Sequence, residues 1–272
     1  MNTTKLDLHK LHPFAGHPYK VQDNEEMDAL VESIRVNGIL TPLTVRPLES
    51  GEYEVISGHR RLYAAQKAGL ETVPAIILPM SRDEAAVAVV DSNLHREHLL
   101  PSEKAFAYKL KMEALHHQGV TSGQVGQKWS RDAISDADSG RQVQRYIRLT
   151  HLIPSILSLV DKGQIAFTPA VELSYLTQQE QQELAEEMAY ADATPSLSQA
   201  QRMRDISRQG RLTTDVIYAI MSEEKANQKE RLKIPMERIR RFFPQSYTTA
   251  QIEEAVVKLC ERDYRRRTDR DR

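Results

Sequence analysis

A single cysteine, Cys260, leaves this chain of 272 residues without an internal disulfide and without a cysteine-built zinc site. It follows Leu259 in an apolar-periodic stretch and reads as a half-buried helix position. Aromatic residues make up only 6% of the sequence, so its cores must be modest, and the length allows two or three of them. No run approaches the ~20 apolar residues of a membrane-spanning helix. Met1 to Thr4 leads into polar, histidine-bearing sequence with no apolar signal core, so the expected location is cytoplasmic. An excess of charge is missing too. With 37 Lys and Arg against 38 Asp and Glu, the net charge of −1 does not advertise a nucleic-acid binder.

The distribution of charge says more than its total. Residues 178–192 carry acid and no Lys or Arg, residues 139–148 carry arginines and no acid, and the tail from Arg262 is strongly basic. Segregation of this kind lets a neutral protein present a cationic DNA face.

Two polar stretches organise the chain, Ile56–Ala65 and Asp91–Glu103. Gly51–Ile56 alternates like a strand with Tyr53 and Val55 on one face. Ser57-Gly58 breaks it, and Leu62, Ala65 and Ala68 recur at helical spacing up to Gly69. A glycine at a strand-to-helix turn admits close backbone approach, and the N–H groups of a helix start favour an anion. Arg60 and Arg61 add fork-shaped donors suited to phosphate oxygens. The chemistry points to a phosphate site; a solvated arginine pair at a helix start is the competing reading.

Residues 5–22 read as an extended start bearing His9, His12 and His17, with no carboxylate or cysteine at metal-ligand spacing. Asp23-Asn24 opens a helix with Met27, Leu30, Val31 and Ile34 inward, closed by Gly38. Pro42–Arg46 pairs as a hairpin with the Tyr53–Ile56 strand, Thr72–Leu78 is a further strand, and Glu84–Asn93 a helix. The first ~95 residues form an α+β unit. Beyond Leu100 only helices are expected. Pro101 starts one with Phe106, Leu110 and Leu115 as its buried stripe, and His116–Gly119 ends it.

Ser130 caps a short helix carrying Ala133 and Ile134, and a turn follows at Ala137-Asp138. Ser139 with Gln142 forms a capping box for the next helix. There Val143 and Ile147 lie inward, Tyr146 and Leu149 flank, and Arg141, Gln142, Gln144, Arg145 and Arg148 face outward. This is a helix-turn-helix pattern, in which arginine can read guanine and glutamine adenine. A solvated helix in a bundle fits that stretch equally well.

The order of these segments resembles the ParB partition-protein family. Gly38–Arg46 is similar to its first nucleotide-contact segment and Gly58-His59-Arg60-Arg61 to its Gly-Glu-Arg-Arg box. Ser92–Arg96 with Pro101 and Glu103 resembles its Glu-Asn-x-Gln-Arg box, and Gln142–Leu149 its recognition helix. The likeness runs from about residue 5 to residue 176. It implies a ParB/sulfiredoxin-like α+β amino-terminal domain over residues 1–98 and an all-α helix-turn-helix domain over 99–177. A helical linker region over 178–230 and a helical carboxy-terminal module with a basic tail over 231–272 complete the expected layout.

Function is implied in the same way: a homodimer that binds cytidine triphosphate (CTP) with magnesium and closes as a clamp on an inverted-repeat DNA site, to segregate plasmids, chromosomes or mobile elements. Carried over by position, Thr41, Gly58, His59, Arg60, Arg61, Asn93 and Arg96 hold the nucleotide, with Asn93 on the metal side. Ser139, Arg141, Gln142, Gln144, Arg145 and Arg148 serve DNA. A weak CTPase activity is the catalysis this allows. A ParA-type ATPase is the family's partner, though the chain shows no long amino-terminal tail of the kind that stimulates one.

The chain departs from the family at His59, Ser92 and His95, which replace Glu, Glu and Gln, and at Thr41, which replaces Gln. Two carboxylates are thereby lost. The alternative reading is a nucleotide-independent helix-turn-helix regulator on the same scaffold. A nuclease would want clustered carboxylates that this sequence does not offer near the site, and Cys260 is too distant in sequence for sulfiredoxin-type chemistry. Ile234–Pro244 sets Phe242 and Phe243 beside arginines, as core or partner-helix contacts, and Ile252, Val256 and Leu259 mark a last amphipathic helix suited to dimerisation.

Overall fold

The structure, a computed structural model, describes residues 3–94, 96, 99–117, 138–223, 236–244 and 246–268. It divides into two compact units, Met1–Glu223 and Glu224–Arg272, each taken by itself below.

The first unit begins with a mixed sheet in the order β1-β5-β3-β4-β2, built from β1 (Thr4–Asp7), β2 (Leu11–Pro13), β3 (Leu43–Pro47), β4 (Tyr53–Ser57) and β5 (Thr72–Ile77). β3 and β4 are antiparallel, as the hairpin reading expects, with an irregularity at Thr44 and Val45. β5 returns parallel to β3, and β1 closes the edge antiparallel to β5. One face of the sheet buries Leu43, Val45, Val55, Val73 and Ala75 beneath Leu62 and Ala65 of α2 (His59–Ala68). Against α2 lies α1 (Glu25–Asn37), whose Met27, Val31 and Ile34 meet Ala64. Asn24 caps α1 by accepting the Met27 N–H at 3.2 Å.

The other face carries Ile56 under Ala85, Ala86, Val89 and Val90 of α3 (Arg82–Leu94). β4 is therefore covered on both sides. Its Glu54 is buried with two partners, Arg46 Nε at 2.6 Å and the Ala15 N–H at 2.9 Å. A buried carboxylate persists only when paired and hydrogen-bonded.

α4 (Pro101–His117) belongs to three cores at once. Ala107 and Ala114 pack on α3, Tyr108 packs on the following helix, and Ala105 joins the helical core beyond. This corrects the expected stripe. Phe106 is 41% exposed, Leu110 and Leu115 are half-buried, and Ala105, Ala107, Tyr108 and Ala114 face inward. A helix packed on several sides has no single apolar stripe to read, and close packing favours small residues.

The expected short helix at Ser130–Ile134 and the loose stretch 119–129 lie outside the described residues. α5 (Gly140–Arg148) resumes the chain, followed by α6 (Pro154–Asp161), α7 (Phe167–Leu173), α8 (Gln178–Ala191), α9 (Leu197–Ser207) and α10 (Thr214–Met221). Leu149, Ile156, Leu173, Leu184, Met203 and Ile217 form one cluster across this whole span. Residues 178–221 are thus built into a shared core and are not a spacer. Reciprocal capping boxes, Thr177 with Glu180 and Ser196 with Gln199, start α8 and α9.

In the second unit, α11 (Met236–Arg240) precedes α12 (Thr249–Thr268). The Thr248 hydroxyl accepts the Gln251 N–H at 3.4 Å, and Ile252 in the first turn is 1% exposed. Farther along, Leu259 is 52% exposed and Cys260 is exposed, where the sequence reading has Leu259 on the inward stripe of the helix and Cys260 half-buried. Among the described residues of this unit Ile252 is buried, and Ala255 and Val256 are half-buried. Phe242 is also exposed, with the Arg241 guanidinium 4.8 Å from its ring centre.

Candidate functional site

The first polar stretch folds as its chemistry suggests. β4 ends at Ser57 and α2 begins at His59. Between them Gly58 takes φ 103°, and a Cβ there would lie 3.1 Å from Leu43 Cγ and 3.2 Å from Arg61 Nη2. Both the dihedral and the space demand glycine. No side chain caps α2, so the N–H groups of its first turn have no partner from a cap.

A cleft of about 260 Å³ opens at this helix start, room for a phosphate chain rather than a single water. Gly58, His59, Arg60, Arg61, Asn93 and Arg96 all line it, so residues far apart in sequence converge as expected. His17, Tyr19, Lys20, Val21, Ser57 and Ser92 complete the wall. Thr41 is not part of the lining; its backbone carbonyl accepts from Arg61 Nη1, which also donates to the Pro42 carbonyl at 2.9 Å. The box arginine therefore fixes the Thr41–Pro42 turn while its charge faces the cleft. Burial lowers the pKa of Arg61, and the group remains a cation.

Arg60 is more loosely held, donating to the exposed Glu26 at 3.2 Å. Arg96 reaches Asn93 Oδ1 at 3.5 Å, while Asn93 Nδ2 donates to the Val89 carbonyl at 2.8 Å and to Ser92 Oγ at 3.1 Å. Asn93 is held on α3 with its oxygen toward a guanidinium. His95, expected in the same box, lies outside the described residues.

Two imidazoles meet at the back of the cleft, His17 and His59, with ring centres 3.7 Å apart and planes tilted by 38°. His59 Nε2 accepts the Phe14 N–H at 3.4 Å. Burial, with His17 beside it, pushes the His59 pKa down to about 3, so the ring is neutral near pH 7. His17 Nδ1 donates to the Tyr19 carbonyl at 2.8 Å, leaving a buried Nε2 lone pair with no partner. Burial lowers the His17 pKa as well. His12 instead pairs with Glu52 at 3.0 Å, so the three amino-terminal histidines do not converge, and among the described residues no group of three metal-ligating side chains occurs.

The helix expected to meet DNA is α5. Ser139 accepts the Gln142 N–H as its N-cap, and Val143 and Ile147 pack on Tyr108. The reading of five outward polar side chains is corrected. Arg145 donates to Thr168 Oγ1 at 2.9 Å and lies 4.9 Å from the Phe167 ring centre. Arg148 donates to the Ser174 carbonyl at 2.7 Å and to its hydroxyl at 3.2 Å, and stacks 4.1 Å from the Tyr175 ring centre. Gln144 reaches Met112 Sδ at 3.6 Å. α7 and the loop after it lie where the two arginines point, and α4 where Gln144 points, which the sequence of α5 alone does not disclose. Arg141 is exposed, and Gln142 is half-buried with its oxygen 3.2 Å from Arg145 Nη1.

The family model described as the ParB N-terminal domain matches residues 1–94, from β1 through α3. Residues 1–94 are a ParB N-terminal domain. Beyond it the likeness to ParB-type proteins continues. The chain is 33% identical over 178 residues to the nucleoid occlusion protein of Listeria innocua, covering 65% of this chain and 59% of that one. It is 34% identical over 161 residues to the chromosome-partitioning protein Spo0J of Thermus thermophilus, covering 59% and 55%. The chain thus spans less than two thirds of the length of these curated relatives. Among solved structures, it is similar to the C-terminally truncated ParB of Caulobacter crescentus complexed with CTP-gamma-S, at 25% identity and a TM-score of 0.33, covering 70% of this chain and 99% of that one.

The ParB resemblance implies magnesium, and the side chains of this ParB domain do not suit it. Magnesium is held by oxygen ligands, carboxylates above all. Among the described residues no Asp or Glu lines the cleft, and Asn93 turns its oxygen to Arg96. Sequence reasoning also missed His17, Tyr19 and Lys20. Their only signal was an extended stretch with prolines at 13 and 18, and the fold brings that stretch across the helix start of α2.

Proposed function

We propose that the chain is a ParB-type, sequence-specific DNA-binding protein of the chromosome-partition and nucleoid-occlusion kind, whose amino-terminal cleft holds a nucleoside triphosphate that controls its grip on DNA. The observation that carries this reading is the convergence of Arg60, Arg61 and Arg96 with Gly58 at one uncapped helix start. Backbone N–H groups, the positive end of the helix dipole and fork-shaped donors all favour a phosphate chain. CTP is the nucleotide implied by the family resemblance. Thr41 is set near the cleft by the bond from Arg61 and is assigned to the base side.

For DNA, we assign contacts to the amino-terminal end of α5, where Ser139, Arg141 and Gln142 are the side chains not fixed against α7. A two-fold homodimer would place two such helices on an inverted-repeat site. A neutral His59 has no imidazolium proton to give and is a weak base near pH 7, which supports binding of nucleotide over rapid hydrolysis. A ParA-type ATPase and the replicon served follow from the resemblance alone.

Calorimetric titration with each of the four ribonucleoside triphosphates tests the proposal. Selective binding of CTP, weakened about 10- to 100-fold by Arg60→Ala, is the expected result, since one charge-assisted hydrogen bond is worth ~1.5–3 kcal/mol. Absence of binding to every nucleotide, with DNA present, would leave the nucleotide-independent regulator.

A further inference from the structure

Resting on that nucleotide reading, we propose that the cleft takes its triphosphate as the metal-free anion, with Lys20, Arg60, Arg61 and Arg96 supplying the charge a divalent ion would otherwise provide. The argument is one of donor chemistry. The side-chain oxygens that line the cleft are neutral hydroxyls and one amide, with no carboxylate among them. Tyr19 donates its hydroxyl to the Val90 carbonyl, Ser92 donates to the Val89 carbonyl at 3.1 Å, and Asn93 Oδ1 faces a guanidinium. The carboxylates at the margin are also engaged. Glu26 meets Arg60, and Glu103 accepts the N–H groups of Lys20 at 2.9 Å and Leu100 at 3.1 Å. Imidazole nitrogens suit softer metals than magnesium.

The cationic side is the complement of this. Arg61 is half-buried and donates to the neutral carbonyl oxygens of Thr41 and Pro42, and Arg96 reaches the amide oxygen of Asn93. Among the described residues neither has a carboxylate partner. A guanidinium taken partly out of water without a counter-ion is poised for an anion. Lys20 and Arg60 each face one carboxylate, Asp161 at 3.7 Å and Glu26 at 3.2 Å. Magnesium bound to the triphosphate cancels two of its negative charges and adds a cation beside Arg61 and Arg96, whose charges are unmatched among the described residues. Here the metal opposes binding.

The test is calorimetry of the full chain with CTP, once in EDTA and once in millimolar magnesium, with Ser92→Glu as the second protein. Ser92 is an exposed position of α3 on the edge of the cleft, so a carboxylate fits there without disturbing the core. The native chain should bind in EDTA and roughly three- to tenfold more weakly with magnesium. Ser92→Glu should reverse the order. Native binding that requires magnesium would overturn this inference and leave the nucleotide proposal standing. Failure to bind any triphosphate under either condition would overturn both. Ser92→Glu binding as the native chain does would refute the claim that missing carboxylates set the metal dependence.

Discussion

The cleft at α2 and the helix α5 both carry arginines that sequence reasoning assigned to ligand contact, and the fold treats them differently. Arg60 and Arg96 make one long or exposed contact each, and Arg61 spends its hydrogen bonds on neutral carbonyls while its charge stays unmatched. Arg145 and Arg148 are bonded and stacked against the neighbouring helix and loop. An arginine is available to an anion when its existing partners are few or neutral; one that also covers an aromatic ring is part of the packing. Spacing along a helix distinguishes neither case.

Arg148→Ala should give the largest effect of this contrast. It removes two hydrogen bonds to Ser174 and the stack on Tyr175 from a half-buried site, for a loss of ~2–4 kcal/mol of stability. Denaturant unfolding should report the drop, whereas Arg60→Ala should leave the unfolding midpoint within ~0.5 kcal/mol of the native value. Equal stability of the two variants would erase the distinction.

Protonation probes the cleft from the other side. His17 and His59 have lowered pKa values when folded, so the unfolded chain binds more protons below about pH 6.5. Their contribution to stability is full above that value and falls as pH drops toward the folded-state pKa values. Between pH 6.5 and pH 5 the expected loss is ~2 kcal/mol, the slope for one proton being at most ~1.4 kcal/mol per pH unit. His59→Gln should flatten the profile in that window. An unchanged slope would assign the acid sensitivity to groups elsewhere.

Much of the amino-terminal unit was legible because its signals are local. The Gly58 turn, the Asn24 cap and the alternation of β3 and β4 each depend on neighbours in sequence. What failed depended on distant chain. Phe106 faces out because α4 is packed by α3, α5 and α6 together, and Leu259, read as inward, is 52% exposed. His17 entered the cleft from a stretch with no periodic pattern, and its orphaned Nε2 is visible only once the rings of His17 and His59 are placed. The cleft residues at the start of α2 and the end of α3 were legible; its neutral back wall was not.

The smallest effect concerns α5 and decides what remains of its role in recognition. Arg141 is exposed in the first turn, so Arg141→Ala should leave folding unchanged and weaken binding to a specific site by ~1 kcal/mol. Arg145→Ala should act through stability and through Gln142, whose oxygen it contacts. Fluorescence anisotropy on specific and random duplexes over a range of salt separates the possibilities. A loss confined to the specific duplex makes Arg141 a base contact, and an equal loss on both with a shallower salt slope makes it a phosphate contact. If Arg141→Ala changes neither while Arg145→Ala abolishes specific binding at full stability, availability as defined by packing does not predict recognition, and the contrast drawn between the two regions fails.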